Sequence, residues 1–354
     1  MGRMSIALAG LVGIALAVPL PAVGSAHGQA ARVGAKPLLT DLGTLGGATS
    51  SAGGISDNGW IAGTADRADG TQHAFLWRKG EMRDLGTLPG GTSSSGVAVN
   101  ERGDVVGSSV TEDSPLGRAT LWPRHGDPID LGTFGGTISS ATDINNRGEV
   151  VGLAGAQFDT EPLAFRWRGG PLEMLGNLGG GPFSRAAAIN QRGQIVGDSL
   201  VFDPSSGFAT HAFLYDDGTM TDLGVVEGAD NSTATDINDR GWVVGGDFLG
   251  LHPFLYRDGT MTDLGFAGTP LAINNRGALV GSLCVDPPAC NVSHAFLYEN
   301  GVLTDLNALL PAGSGWVLTT AGDINDRGEI VGTGTHDGVQ RAYLLAPGSK
   351  PPKR

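Results

Sequence analysis

One twelve-residue sentence, ATDINNRGEVVG at 141–152, recurs in seven reworded copies along this 354-residue chain. The copies centre on Ile55, Val99, Ile144, Ile189, Ile237, Ile273 and Ile324, with spacings of 44, 45, 45, 48, 36 and 51 residues. A second phrase also recurs seven times: HAFLW (73–77), ATLW (119–122), AFRW (164–167), HAFLY (211–215), HPFLY (252–256), HAFLY (294–298) and AYLL (342–345). A third begins at Asp41, Asp84, Asp130, Met174 (as MLG), Asp222, Asp263 and Asp305 (as DLN). A period near 45 restricts the chain to architectures built by repetition, propellers and solenoids first among them.

Each unit reads as four strands. The first ends in A-x-x-I-N and meets a turn such as NNRG, with Asn145 at the turn's opening and Gly148 where a left-handed residue is needed. The second strand (EVVG) and the third (HAFLW) are nearly continuous apolar runs, which implies burial on both faces. A short turn such as RDGT leads to the fourth, MTDLG. The chain opens with a lone fourth strand, PLLTDLG (37–43), and closes with a unit of three strands ending at RAYLL (341–345). The two fragments complete each other, so the amino-terminal strand is expected to close the last blade as its outer edge. A solenoid needs atypical capping repeats, and none is visible. The expected fold is an all-β, seven-bladed β-propeller of four-stranded antiparallel blades. It should span 37–346, after a leader (1–26) and a linker (27–36), and before a tail (347–354).

The phrases HAFLW, HAFLY and DLGTLGG, with A-x-x-IN-x-x-G-x-x-x-G, resemble the HAF-type extracellular repeat family over about residues 37–346. The chain departs from the pattern where Arg118, Leu163 and Arg341 replace the histidine. The resemblance implies export and a bacterial repeat architecture. It supplies no catalytic residues.

The opening MGRMS, the 15-residue apolar run IALAGLVGIALAVPL and the small-residue exit PAVGSA read as a cleavable secretory signal, cut after Ala26. The run is short for a membrane span, so the chain is expected to be secreted or periplasmic, and monomeric. It carries 23 basic and 36 acidic residues, a net charge of −13. Such a surface repels phosphate backbones, which argues against nucleic-acid partners. Cys284 and Cys290, in CVDPPAC, are expected to form a disulfide, as a close pair in an exported chain usually does. A metal site would need His294 and a further ligand that is not evident.

The candidate chemistry is weighed residue by residue. His73, His211, His252 and His294 sit on third strands of separate blades, where hydrogen bonding between strands is the expected role. Asp143, Asp236 and Asp323, each in D-I-N, resemble the start of a calcium loop, but Arg147, Arg240 and Arg327 stand where the fifth-position oxygen belongs. Arg102, Arg147, Arg192, Arg240, Arg276 and Arg327 are turn residues that form a ring on one face, either solvated or open to an anion. No nucleophile elbow, metalloprotease or P-loop motif is present. No catalytic residue and no cofactor is assigned.

The loops between second and third strands, and between blades, vary in length and emerge on the same face. Binding of an extracellular glycan or protein is expected there, with Phe183, Arg185, Asp230 and Trp316 near the channel mouth. The alternatives are a secreted carbohydrate-active hydrolase or lyase at the same place, and structural surface display.

Overall fold

Seven four-stranded antiparallel sheets follow one another along the chain. The computed structural model describes residues 36–156, 162–203, 207–287 and 290–348. The expected leader, nearly all of the linker and most of the tail lie outside the described residues. In blade 1 the inner strand Gly46–Ile55 pairs with Ile61–Arg67, then Gln72–Arg78, then the outer strand Glu81–Asp84. Blades 2 to 6 repeat this order over 91–130, 135–176, 184–222, 233–263 and 268–305. Blade 7 supplies Trp316–Ile324, Ile330–His336 and Val339–Ala346. Its outer strand is Leu38–Asp41, paired antiparallel with Leu38 opposite Ala346 and Asp41 opposite Tyr343. The ring is therefore closed by its first strand, as the phase of the repeats requires.

The recurrent phrases have a common mechanical reading. The inner strand slips register at the same place in each blade, between Ala52 and Gly54 in blade 1 and between Ala321 and Asp323 in blade 7. A bulge there bends the strand and sharpens its twist. The second strand answers with a glycine. A Cβ at Gly63 would collide with the Ser51 carbonyl and the Phe75 ring, and Gly152 faces Ser140 and Phe165 in the same way. The aromatic of the HAF phrase thus packs where the VVG glycine has no side chain. Phe75, Phe165, Phe213, Phe254 and Phe296 are all fully buried.

Both faces of each blade are covered by neighbouring blades. One apolar cluster joins Ala62, Ala74 and Leu76 of blade 1 to Val99, Val105 and Trp122 of blade 2. Buried serines bolt these faces together. Ser94 accepts the Ala74 amide at 2.9 Å and donates to the Gly86 carbonyl at 2.6 Å, and Ser184 and Ser232 do the same one and two junctions on from blade 3. Between blades 6 and 7 the phrase reads DLN. There Asn307 replaces the serine bolt, exchanging hydrogen bonds with the Leu318 amide and carbonyl at 2.8 and 2.9 Å.

Candidate functional site

Strand alternation sorts the connections onto two faces. The turns from first to second strand and from third to fourth form the turn face. The longer hairpins and the links between blades form the loop face.

At the axis on the turn face, two polar belts surround a cavity of about 190 Å³. Each turn asparagine accepts two amides of its own turn on Oδ1; Asn145 takes those of Arg147 and Glu149, both at 3.0 Å. Its Nδ2 donates to the carbonyl of the next blade's asparagine. The relay passes Asn100, Asn145, Asn190, Asn238, Asn274 and Asn325 and stops at Ser56. One residue further along the turn, a second belt closes completely. The amides of Asp57, Glu101, Asn146, Gln191, Asp239, Asn275 and Asp326 each donate to the side chain of the same position in the next blade, at 2.6–2.9 Å.

Below the belts lie three carboxylates that sequence reasoning treated only as a possible calcium loop. Asp143 accepts the amide of Ile144 in its own blade and of Ile189 in the next, at 2.7 and 2.8 Å. Asp236 joins Ile237 to Ile273, and Asp323 joins Ile324 to Ile55. Each clamp reaches toward a blade whose own residue at that position is small: Ala188, Ala272 or Gly54. Three clamps serve six blades of seven, and Val99 has no such clamp. An odd ring cannot alternate perfectly. Burial pushes the Asp143 carboxyl up to about 6 and Asp323 up to about 7, against the downward pull of two amides each. Asp236 is raised well above the usual range by burial and then by the charge of Asp323. The signal was present in the chain as D-I-N alternating with A-I-N. Its meaning required knowing which blades are neighbours. Among the described residues no three His, Cys, Asp or Glu side chains are arranged to hold a metal.

The turn arginines lean outward from this mouth. Arg102, Arg147 and Arg327 pair with Asp104, Glu149 and Glu329 at 2.5–2.8 Å. Arg192 bonds to Gln194, and Arg240 sits over the Trp242 ring. Three of the six are thus neutralised by a carboxylate in their own turn, and none lines the axial cavity, so they do not form a converging anion ring. The neighbouring acids Glu101, Asp239 and Asp326 accept backbone amides in the closed belt. The histidines hydrogen bond across strands. His73, His211, His252 and His294 place Nδ1 2.7–3.3 Å from Asp84, Asp222, Asp263 and Asp305 of the DLG phrase. Arg118 keeps a cation opposite Asp130, while Leu163 and Met174 lose both partners together.

On the loop face, Phe183, Asp230 and Trp316 stand at or just before the starts of the inner strands of blades 4, 5 and 7, and Arg185 lies one residue inside blade 4's. They are not brought into one cluster. Arg185 is held by Asp198 at 2.6 Å, whose carboxyl burial pushes up. Trp316 is half-buried, stacked on His336 at 4.7 Å and edge-on to Tyr343. Asp230 is exposed. Cys284 and Cys290 are joined by a disulfide. Exposed apolar side chains concentrate on this face. Phe202 and Phe208 meet edge-on at 5.2 Å on the blade 4 hairpin, 57% and 69% exposed. Phe248 and Leu249 project from blade 5, 63% and 71% exposed. Away from this face, the large exposed apolar residues Leu38, Ile129, Met174 and Val302 all lie on outer strands.

This geometry defines a seven-bladed β-propeller. Virginiamycin B lyase from Staphylococcus aureus matches 88% of this chain and 99% of its own at 12% identity, with a TM-score of 0.53. A catalytically inactive form of that lyase with quinupristin matches over the same shares at 13% identity and 0.51. A gluconolactonase from Xanthomonas campestris matches 89% of this chain and 96% of its own, at 12% identity and 0.39. At these identities the likeness is one of fold. A family model described as a protein of unknown function (DUF3466) matches residues 183–344, which fall in blades 4 to 7. No curated protein sequence matches the chain. No described helix is long and apolar enough to cross a membrane.

Proposed function

We propose that this chain is an exported HAF-type repeat protein whose propeller is a binding module, engaging an extracellular glycan or protein through the loop face. The observation that carries the reading is the concentration of exposed apolar side chains on that face, led by Phe202, Phe208, Phe248 and Leu249. Soluble proteins seldom expose grouped large apolar side chains without a use for them. A rigid ring presenting variable hairpins is suited to recognition. The axial carboxylates have a mechanical use, since each holds two backbone amides, and so they do not favour a hydrolase or lyase.

The test is a screen of the immobilised protein against a glycan array and a displayed peptide library. It is repeated with the variant Phe208→Ser, Phe248→Ser. A hit that the variant loses, with melting temperature retained and no product formed, supports the reading. A hit bound equally by the variant contradicts it. Amino-terminal sequencing of protein from the culture medium tests export, with a mature start at His27 expected.

A further inference from the structure

An acid-rich chain gathers unpaired cations in one groove. Arg78 and Lys79 of blade 1 and Arg124 and His125 of blade 2 line a cleft of about 450 Å³ between these blades on the turn face, together with Arg83. None of the five has an ion-pair partner among the described residues, whereas Arg102, Arg118, Arg147, Arg166, Arg185 and Arg327 are each paired with a carboxylate; Arg192, Arg240, Arg257 and Arg276 also lack one but do not line this cleft. Glu81 also lines the cleft and pairs with none of them.

The groove is built rather than incidental. The guanidinium groups of Arg78 and Arg124 lie over the Trp60 ring, 4.2 and 4.7 Å from its centroid. Arg83 donates to the Arg124 carbonyl at 2.9 Å, tying the two blades, and Arg78 donates to the Asn58 carbonyl at 3.1 Å. The Arg78 Nε is nevertheless buried without an acceptor. The other such side-chain atom among the described residues is Trp122 Nε1, in the apolar cluster that Leu76 and Trp60 share. Buried donors are nearly always satisfied, so the unpaired Arg78 Nε at the cleft points to a missing acceptor, while Trp122 does not line the cleft.

Two positions here differ from most blades. Trp60 stands where blades 2, 3 and 7 carry Asp104, Glu149 and Glu329, and blade 5 alone repeats it, with Trp242 under Arg240 and Arg257. Lys79 has a φ of 52° at a turn position that blades 4, 5 and 6 fill with Asp217, Asp258 and Asn300. Aspartate and asparagine tolerate that left-handed conformation far better than lysine. Trp60 packs on the apolar cluster between the blades, whereas Lys79 brings its turn no gain, and a local rule broken without structural gain marks a functional position.

We propose that this groove is a binding site for a small ligand bearing a carboxylate, sulfate or phosphate group. Stacking on the Trp60 ring fixes both guanidinium groups, and that of Arg124, which makes no side-chain hydrogen bond among the described residues, presents its N–H edge to an oxyanion. The net charge of −13 repels polyanions at long range, which confines the ligand to a small anion.

The experiment titrates the full mature chain with sulfate, phosphate, acetate and glucuronate at constant ionic strength. Binding is followed by calorimetry and by the indole N–H signals. Saturable one-to-one binding that moves the Trp60 signal is expected. Arg78→Gln with Arg124→Gln should weaken it at least about tenfold, and Arg192→Gln with Arg240→Gln should not. Should the first pair unfold the protein, Lys79→Asp suits the turn and must also weaken binding. Glucuronate binding more tightly than acetate identifies a sugar acid, and sulfate or phosphate binding best identifies a free inorganic anion. No saturable binding, or binding unchanged in the folded groove variants, overturns the proposal.

Discussion

At the scale of single residues, the axial aspartates are the groups on which pH acts most directly. The carboxyls of Asp143 and Asp323 sit at about 6 and about 7 in the folded chain, above the 3.8 of a free carboxyl, because burial disfavours their charge. The folded state then holds extra protons between about pH 4 and 7. Stability from these groups falls as pH rises through that window and is level above it. Asp104, Glu149 and Glu173 are held low by their hydrogen-bond and arginine partners, and act in the opposite sense. Their contribution is lost only as pH falls below the ordinary carboxylate range. Urea melts should therefore show lower stability at pH 8 than at pH 5, on the order of 1–2 kcal/mol per axial carboxylate, and carbon NMR should find carboxyl midpoints near 6 and 7. Melts that improve steadily from pH 5 to 8 would contradict this. Asp143→Ala leaves the amides of Ile144 and Ile189 without an acceptor and should cost about 1–3 kcal/mol.

At the scale of elements, closure and the small loops behave differently. Strand Leu38–Asp41 pairs with Val339–Ala346 of the last blade and runs on into the inner strand of blade 1. Deleting residues 27–43 exposes the edge of Val339–Ala346, and aggregation or lost solubility is expected. A truncated protein that melts like the full chain would show that closure is dispensable. The disulfide encloses only the few residues between Cys284 and Cys290, so its effect on the unfolded chain is modest, about 2 kcal/mol. Reduction should loosen that hairpin, read by local amide exchange, and leave the ring folded. Elements were also where the sequence was most legible. Strand order, turn positions and the closing strand follow from the phase of three phrases. The linked loss of histidine and aspartate in blade 3 was not legible, because Leu163 and Met174 become neighbours only through the register of the third and outer strands. Beside a glycine-rich stretch, Trp316 reads as either a ligand-stacking ring or core, and only the fold reveals His336 beneath it.

At the scale of the whole molecule, the ring is a scaffold with two unlike faces. The turn face is knitted by belts of amides and side chains that repeat blade after blade, and such repetition serves closure. The loop face carries what differs between blades: long hairpins, the disulfide and the exposed aromatics. Sequence comparison of loop lengths identifies that face, but not the apolar tips on it. The stretch 201–210 reads as a variable loop of that face, and only the structure shows Phe202 and Phe208 opposite each other on paired strands with their rings exposed. The most direct measurement is an amide-exchange footprint of the protein with a ligand recovered from the glycan or peptide screen. Protection is predicted in the peptides carrying Phe202, Phe208, Phe248 and Leu249, with the turns at 145–149 and 190–194 unchanged. Protection confined to those turns, with the apolar hairpins exchanging as in the free protein, would contradict the account.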